Sequence, residues 1–229
     1  RAALHLPQRE LCRFSGELCV WMSPATSSRD RRSLVSGSAV TGRIDLVQAH
    51  AQAPVHVSVD IRGLTPGQRH GFHVHAKPAE GAASLQQSCA ACGGHFNPLN
   101  QPHGSIFIDR KKRHVGDLIN NLLADATGRA RVQFTDELLS LVATQERPYT
   151  VVGKSIVVHE GVDDLGQQGS IIEPPCLVHD GRIVPGKRQL GRHYVDPTKR
   201  RESTVTGNAG ARLACGNIRL VAAPAYRPT

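Results

Sequence analysis

Histidines cluster so densely in this chain that they constrain its fold more than any other feature of the sequence. Residues 70–117 begin with H-G-F-H-V-H and end with R-H-V-G-D, and a further histidine follows in I-V-V-H-E. The side chains concerned are His73, His75, His95, His103, His114, Asp117 and His159. An apolar core does not need so many imidazoles, whereas imidazole is a good ligand for copper and zinc, and zinc also accepts a carboxylate. We therefore expect a fold that brings these side chains together around metal.

The spacing of His73 and His75 adds a geometric argument. One valine separates them, and side chains along a β-strand alternate between its two faces, so both imidazoles should project from the same side. Two nitrogens on one strand are half of a four-nitrogen copper site, which His95 and His159 would complete. A single histidine is more often a surface or hydrogen-bonded core residue, but that explanation does not suit the whole set.

The rest of the chain is typical of a β-rich protein. The 22 glycines, 14 prolines and 4% aromatic content favour many turns over a helical bundle. Residues 55–61 alternate strictly between apolar and polar side chains, which predicts a half-buried strand. Further strands are predicted at residues 118–125, 130–134 and 151–159, and a strand, turn and strand over residues 37–47.

Five motifs resemble copper/zinc superoxide dismutase and occur in that family's order. They are G-F-H-V-H (71–75), G-G-H-F-N-P (93–98), H-V-G-D-L (114–118), V-V-H-E-x-x-D-D-L-G (157–166) and G-N-A-G-A-R-L-A-C-G (207–216). The resemblance covers residues 37–169 and 202–222. It implies an all-β fold, an eight-stranded Greek-key β-barrel (an immunoglobulin-like sandwich) with long metal-binding and electrostatic loops.

The resemblance also implies an activity and a set of site residues. The activity is dismutation of superoxide to oxygen and hydrogen peroxide by copper cycling between Cu(II) and Cu(I). Copper would be bound by His73, His75, His95 and His159, and zinc by His95, His103, His114 and Asp117. His95 would bridge the two metals and take part in proton transfer.

Three further residues match family positions beside the metals. Arg212 would attract and orient superoxide, Asp163 would link His73 to His103, and Thr206 would line the substrate channel. The alternative is a metal-binding homologue, copper-binding or chaperone-like, without turnover. The complete set of copper ligands and Arg212 argue against it.

Cys89 and Cys92 form a C-x-x-C pair, which by itself fits either zinc binding or thiol redox chemistry. The resemblance instead implies a disulfide between Cys89 and Cys215, with Cys92 as an additional, inert thiol. Cys12 and Cys19 are too far apart for the C-x-x-C of a metallochaperone.

Most of the net charge of +9 lies in two segments. Residues 1–33 contain six basic and three acidic residues, and residues 170–201 contain seven and three. We interpret residues 1–33 as a poorly ordered N-terminal extension and residues 34–229 as the dismutase domain, with an atypical insertion at about 170–201. The insertion is expected to be a mobile surface excursion beside the entrance to the active site. The basic run at residues 110–113 is expected to be exposed.

The predicted partners follow from this charge and from the resemblance. Superoxide is the substrate, the basic segments are expected to be solvated surface, with binding of a heparin-like polyanion as the alternative, and nucleic acid is not expected. No apolar run approaches the roughly 18 residues of a membrane span. A homodimer is expected by resemblance, although Asn217 and Arg219 stand where the family is small and apolar, so a monomer remains the alternative. The basic tails and extra cysteines favour an extracellular over a cytoplasmic location, but the disulfide does not decide it, because this family keeps its bridge in both.

Overall fold

The structure is a computed structural model, and it describes residues 40–80, 84–168, 171–173, 175–188 and 197–219. The predicted N-terminal extension, residues 1–33, lies outside these ranges. Within them, neither helix has the length and apolar character needed to cross a bilayer.

Strands dominate the described residues. The longer ones are β1 (Thr41–Gln48), β2 (Val55–Arg62), β3 (Arg69–His75), β4 (Asp117–Leu123), β5 (Ala130–Asp136), β6 (Ser155–His159) and β11 (Arg212–Asn217). The shorter ones are β7 (Ile171–Glu173), β8 (Cys176–Leu177), β9 (Ile183–Val184) and β10 (Lys187–Arg188). Two helices, α1 (Leu85–Ala91) and α2 (Pro197–Thr206), interrupt them.

The longer strands form two sheets with Greek-key connections. One sheet has the order β1-β2-β5, and the other has the order β11-β6-β3-β4-β8-β9. Strand β3 pairs antiparallel with β4, which follows it in the chain, and also with β6, which returns after the chain has passed through β5 in the other sheet. This arrangement confirms the predicted all-β Greek-key class. The described residues contain seven strands of five or more residues, where eight strands were predicted.

The apolar core lies between the two sheets. Val55, Val57, Val59 and Ile61 face it from β2, each 4% exposed or less. Burying an aliphatic side chain of this size stabilises the fold by about 1.5–3 kcal/mol. The predicted alternation in residues 55–61 is therefore confirmed, but the turn predicted within 37–47 is wrong for the described part, because β1 is continuous from Thr41.

Strand β3 is buried on both faces, and this positions the histidines. Phe72 and Val74 belong to the apolar core, whereas His73 and His75 project from the opposite face, where loops cover them. The same strand therefore contributes to the core and carries the pair of imidazoles predicted from their spacing.

Residues 76–116 connect β3 to β4 and are attached to the sheet at several points. Phe96 N donates to Val74 O at 2.8 Å, and Gly116 N donates to Phe96 O at 2.8 Å. Gly116 must be glycine, because a Cβ there would lie 2.2 Å from Val74 O. The loop predicted over residues 76–92 contains helix α1, which begins where the Ser84 side chain accepts a hydrogen bond from Gln87 N.

The expectation that the basic run is exposed is confirmed for residues 110–112 but is wrong for Arg113, whose side chain is fully buried. Its Nη2 donates to Asp136 Oδ2 at 2.7 Å, and its Nη1 donates to the carbonyls of His114 and Asp117. These acceptors compensate for the removal of the guanidinium from water. Arg113 thus connects the histidine-bearing loop to the end of β5.

Two strands of the insertion, β8 and β9, are attached to the six-stranded sheet, so the expectation of a mobile excursion is wrong for them, whereas β7 and β10 pair with each other in a separate sheet. Strand β8 pairs in parallel with β4 through Leu177 and Leu122, and β9 pairs with β8. Cys176 is fully buried. Composition does not reveal this pairing, because the pairing depends on an edge of β4 that is distant in sequence. The division of the chain into extension, domain and insertion stays a prediction.

Replacing Arg113 by methionine is expected to lower the free energy of unfolding by about 3–5 kcal/mol, because the Asp136 carboxylate would stay buried without its partner. Urea unfolding measures the change. Arg110→Met is the matched control, since the side chains of Arg110 and Glu137 are 62% and 56% exposed. Equal unfolding free energies for the two variants would contradict the role given to Arg113.

Candidate metal centre

Four histidines converge on the outer face of β3. His73 and His75 lie on that strand, His159 ends the adjacent β6, and His95 forms an isolated bridge with His75. Each offers one ring nitrogen, and these four atoms lie within 4.8 Å of one another. Gly71 allows the close approach, because a Cβ there would lie 2.7 Å from Ala209 Cβ and 3.1 Å from His159 Cβ.

The hydrogen bonds of these rings leave their inward nitrogens as lone-pair donors. His75 Nδ1 lies 2.8 Å from Gly93 O and His159 Nδ1 lies 3.1 Å from Gly210 O, so both Nδ1 atoms carry the proton. Their Nε2 atoms then face each other at 3.3 Å without a proton between them. His73 Nε2 lies 2.5 Å from Asp163, and its buried Nδ1 has no hydrogen-bond partner. Converging, unpaired lone pairs in a buried site fit a cation.

A second cluster surrounds one oxygen of Asp117. Its Oδ1 lies 2.9 Å from His95 Nδ1, 3.1 Å from His103 Nδ1 and 3.2 Å from His114 Nδ1. The other oxygen accepts hydrogen bonds from the backbone N–H groups of Gly104 and His114, which fixes the carboxylate. Three imidazoles and one carboxylate are a suitable donor set for tetrahedral zinc.

Asp163 links the two clusters. Its Oδ2 lies 2.5 Å from His73 Nε2 and its Oδ1 lies 3.1 Å from His103 Nε2. Asn121 holds the segment in place, because its side chain bonds to both the N–H and the carbonyl of Asp163 at 2.9 Å. Sequence reasoning missed Asn121, although a pair of asparagines in the otherwise apolar L-I-N-N-L-L was a visible signal.

Burial keeps most of these imidazoles neutral. It lowers the pKa of His73 to about 3 and that of His159 to about 4, and it also lowers the pKa values of His75 and His95. Neutral imidazole is the form that binds metal. The four histidines of the first cluster are therefore in the binding form at neutral pH.

The second cluster has a different charge balance. Burial alone would raise the pKa values of Asp117 and Asp163, but the neighbouring imidazoles hold both well below the usual range. Burial would lower the pKa of His103, but Asp163 and Asp117 outweigh it and raise that pKa to about 10. A proton on His103 and a metal cation are thus alternative positive charges for the same two carboxylates.

Arg212 lies beside the first cluster. Arg212 on β11 pairs with His159 on β6, and its positive charge contributes to the low pKa of His159. The guanidinium donates to the carbonyls of Cys89, Ala90 and Gly93. Thr206 lies at the end of α2, where its hydroxyl donates to Glu202 O at 3.2 Å. The predicted disulfide between Cys89 and Cys215 is confirmed, and it joins α1 to β11.

In the metal-free protein, the free energy of unfolding is expected to fall as the pH is lowered from about 6.5 to about 4. Each histidine with a lowered pKa binds a proton in the unfolded chain, where the ordinary value is 6.5, before it does so in the folded chain. Each therefore contributes a slope of about 1.4 kcal/mol per pH unit, with stability rising as the pH rises. His103 adds no slope well below pH 6.5, where it is protonated in both states, and near pH 6.5 its raised pKa gives a slope of the opposite sign.

Urea unfolding of chelator-treated protein at several pH values measures this slope. His159→Gln should reduce it, whereas His56→Gln, at an exposed position of β2, should leave it unchanged. A slope that is the same in the wild type and in His159→Gln would contradict the explanation.

Comparison with known proteins gives a consistent result. Residues 40–218 match the family described as copper/zinc superoxide dismutase. A Cu-Zn superoxide dismutase of Candida glabrata is 35% identical over 189 residues, covering 82% of this chain and 96% of the relative. Those of Onchocerca volvulus and Paramecium bursaria Chlorella virus 1 are 35% and 34% identical, covering 83% and 87% of this chain and 96% and 86% of the relatives.

These matches confirm the resemblance seen in the motifs, together with the predicted activity and the two predicted metals. The chain belongs to the copper/zinc superoxide dismutase family.

Proposed function

We propose that this chain dismutes superoxide with copper held by His73, His75, His95 and His159 and with zinc held by His95, His103, His114 and Asp117. The observation that carries the proposal is the position of His95, which belongs to both clusters. Its Nδ1 faces Asp117 at 2.9 Å, so its Nε2 is the nitrogen left for the cluster on β3. One ring in this position can serve two cations.

Copper supplies the one-electron exchange between Cu(II) and Cu(I) on which dismutation depends, and zinc supplies a fixed charge beside it. The side chains orient the metal ligands and supply a proton to the product. In the loaded protein His95 Nε2 would either be a lone-pair donor to copper or carry a proton, so it is the candidate proton source for the peroxide product. Asp163 fixes the ring orientations of His73 and His103 by accepting from both.

The role proposed for Arg212 is to attract the superoxide anion. The carbonyls of Cys89, Ala90 and Gly93 hold its guanidinium in one place, and its charge acts on His159. A fixed positive group at a narrow site raises the association rate of an anion, and salt weakens the effect. Thr206 is proposed to line the substrate channel on the basis of the resemblance.

Ligand substitutions are expected to separate the two metal sites. The loaded wild type should contain one copper and one zinc per chain. His159→Gln should lose copper and dismutase activity while keeping zinc, and His114→Gln should lose zinc first. Elemental analysis with a dismutation assay measures both. The assignment is wrong if the two variants lose the same metal, and a fully loaded but inert wild type would favour the metal-binding alternative without turnover.

Replacing Arg212 by alanine is expected to lower kcat/KM about tenfold and to weaken its decrease with ionic strength, because the charge that attracts superoxide is removed. Arg212→Lys should retain part of both effects. Arg62→Ala removes an exposed charge from the other sheet and serves as the control. An unchanged salt dependence in Arg212→Ala would refute the attraction role.

The remaining partners stay predictions. Superoxide follows from membership of the family. Two observations concern the segment where the homodimer contact is expected. The Asn217 side chain hydrogen-bonds within the chain to the backbone of Ala79 at 2.6 and 3.0 Å, and Arg219 is exposed. Polyanion binding by the basic segments stays a prediction, and residues 1–33 and 189–196 of these segments lie outside the described ranges.

A further inference from the structure

Three cysteines share one small buried cluster beneath α1. Cys89 and Cys92 are fully buried, Cys215 is 7% exposed, and Val157 and Ala79 pack with them. Cys89 and Cys215 form the disulfide, whereas Cys92 is a free thiol. A free thiol in the same cluster as a disulfide is the arrangement that thiol–disulfide exchange requires.

The backbone at the end of α1 brings Cys92 towards Cys89. Cys92 N donates to Cys89 O at 3.3 Å, an i to i+3 bond of the 3₁₀ type. In such a turn the side chains at i and i+3 lie one above the other. In a helix these Cβ atoms are about 5–6 Å apart, and a disulfide needs about 3.5–4.5 Å. Cys92 is the C-cap residue, so a small adjustment there breaks no following helical turn.

We propose that Cys92 exchanges with the Cys89–Cys215 disulfide. The Cys92 thiol, which donates to Ser88 O at 3.6 Å in the native protein, gives up its proton, and the resulting thiolate attacks Sγ of Cys89. The bond between the sulfurs of Cys89 and Cys215 breaks, and its electron pair leaves on Cys215, which then takes up a proton. The products are a Cys89–Cys92 disulfide and a free Cys215 thiol. No external oxidant or reductant is consumed.

Burial favours this internal reaction over attack by a small thiol from solvent. Both sulfurs of the native disulfide lie in the cluster, where access from solvent is poor, but Cys92 is already inside it. A group held next to its target reacts as if at very high concentration. Cys92, expected from the sequence to be inert, is therefore assigned a reactive role.

The exchange would change what holds the chain together. The native disulfide spans 126 residues, whereas the new one would close only the C-x-x-C turn. The link between α1 and β11 would be lost, and stability with it. The carbonyls that hold Arg212 belong to this same segment, at Cys89, Ala90 and Gly93. Disulfide connectivity and the position of Arg212 are thus coupled through one short stretch of backbone.

The test follows the fate of Cys215 in the full chain, starting from the intact disulfide and without added thiol. The protein is incubated with iodoacetamide and then digested for peptide mapping by mass spectrometry. We expect Cys215 to become alkylated with time. The peptide that contains Cys89 and Cys92 should stay unalkylated and be two hydrogen atoms lighter than the same peptide with two free thiols. The melting temperature should fall as this species accumulates.

Two single substitutions make the result specific. In Cys92→Ala, Cys215 should remain protected for the whole incubation. Cys176→Ala is the matched control, since Cys176 is also fully buried but lies outside this cluster, and it should behave like the wild type. Alkylation of Cys215 at an equal rate in Cys92→Ala overturns the proposal, as does a mapped bond from Cys92 to Cys215.

A second variant tests the pairing directly. Cys215→Ser, checked for folding by circular dichroism, is equilibrated in a glutathione redox buffer and mapped in the same way. A Cys89–Cys92 disulfide is expected there and must be missing from the double variant Cys92→Ala/Cys215→Ser. Two alkylated thiols at Cys89 and Cys92 in folded Cys215→Ser would overturn the proposal. Because no arm measures turnover, its failure is distinguishable from a failure of the proposed dismutase mechanism.

Discussion

The structure depends on a set of buried nitrogen lone pairs that require positive charge. His75 and His159 present unprotonated Nε2 atoms to each other at 3.3 Å, and Nδ1 of His73 is buried without a hydrogen-bond partner. Buried polar atoms without partners are costly, and protons do not remove this cost at neutral pH, because burial lowers the pKa values of His73 and His159. Bound cations remove this cost, so metal binding stabilises the folded chain.

The surrounding fold holds this arrangement in place from several directions. Phe72 and Val74 anchor β3 in the core, so His73 and His75 on its other face cannot move independently. Arg113 ties the loop between β3 and β4 to β5, and Asp163 joins the two clusters. Each tie links segments that are far apart in sequence. The rigidity of the site is therefore a property of the whole sandwich and not of any one loop.

Local sequence patterns predicted part of this fold well. Strict alternation in β2 located a half-buried strand, since a period of two reports directly on burial. The motifs and their order predicted the family and the disulfide. Sequence patterns gave wrong predictions where contacts between residues distant in sequence determine the structure. A basic run suggested exposure for Arg113, but the Asp136 carboxylate and two carbonyls make burial favourable. The insertion looked mobile, but β8 pairs with the free edge of β4.

The sequence by itself determined the kind of chemistry, because ligand identity and spacing are local properties: two histidines separated by one residue on a strand share a face whatever surrounds them. Only the tertiary structure decided which nitrogen of each ring points inward, that Asn121 holds Asp163 in place, and that a third cysteine shares a cluster with the disulfide. Those facts depend on hydrogen bonds and packing between residues up to 126 positions apart, and long-range contacts of this kind leave no periodic signal in the chain.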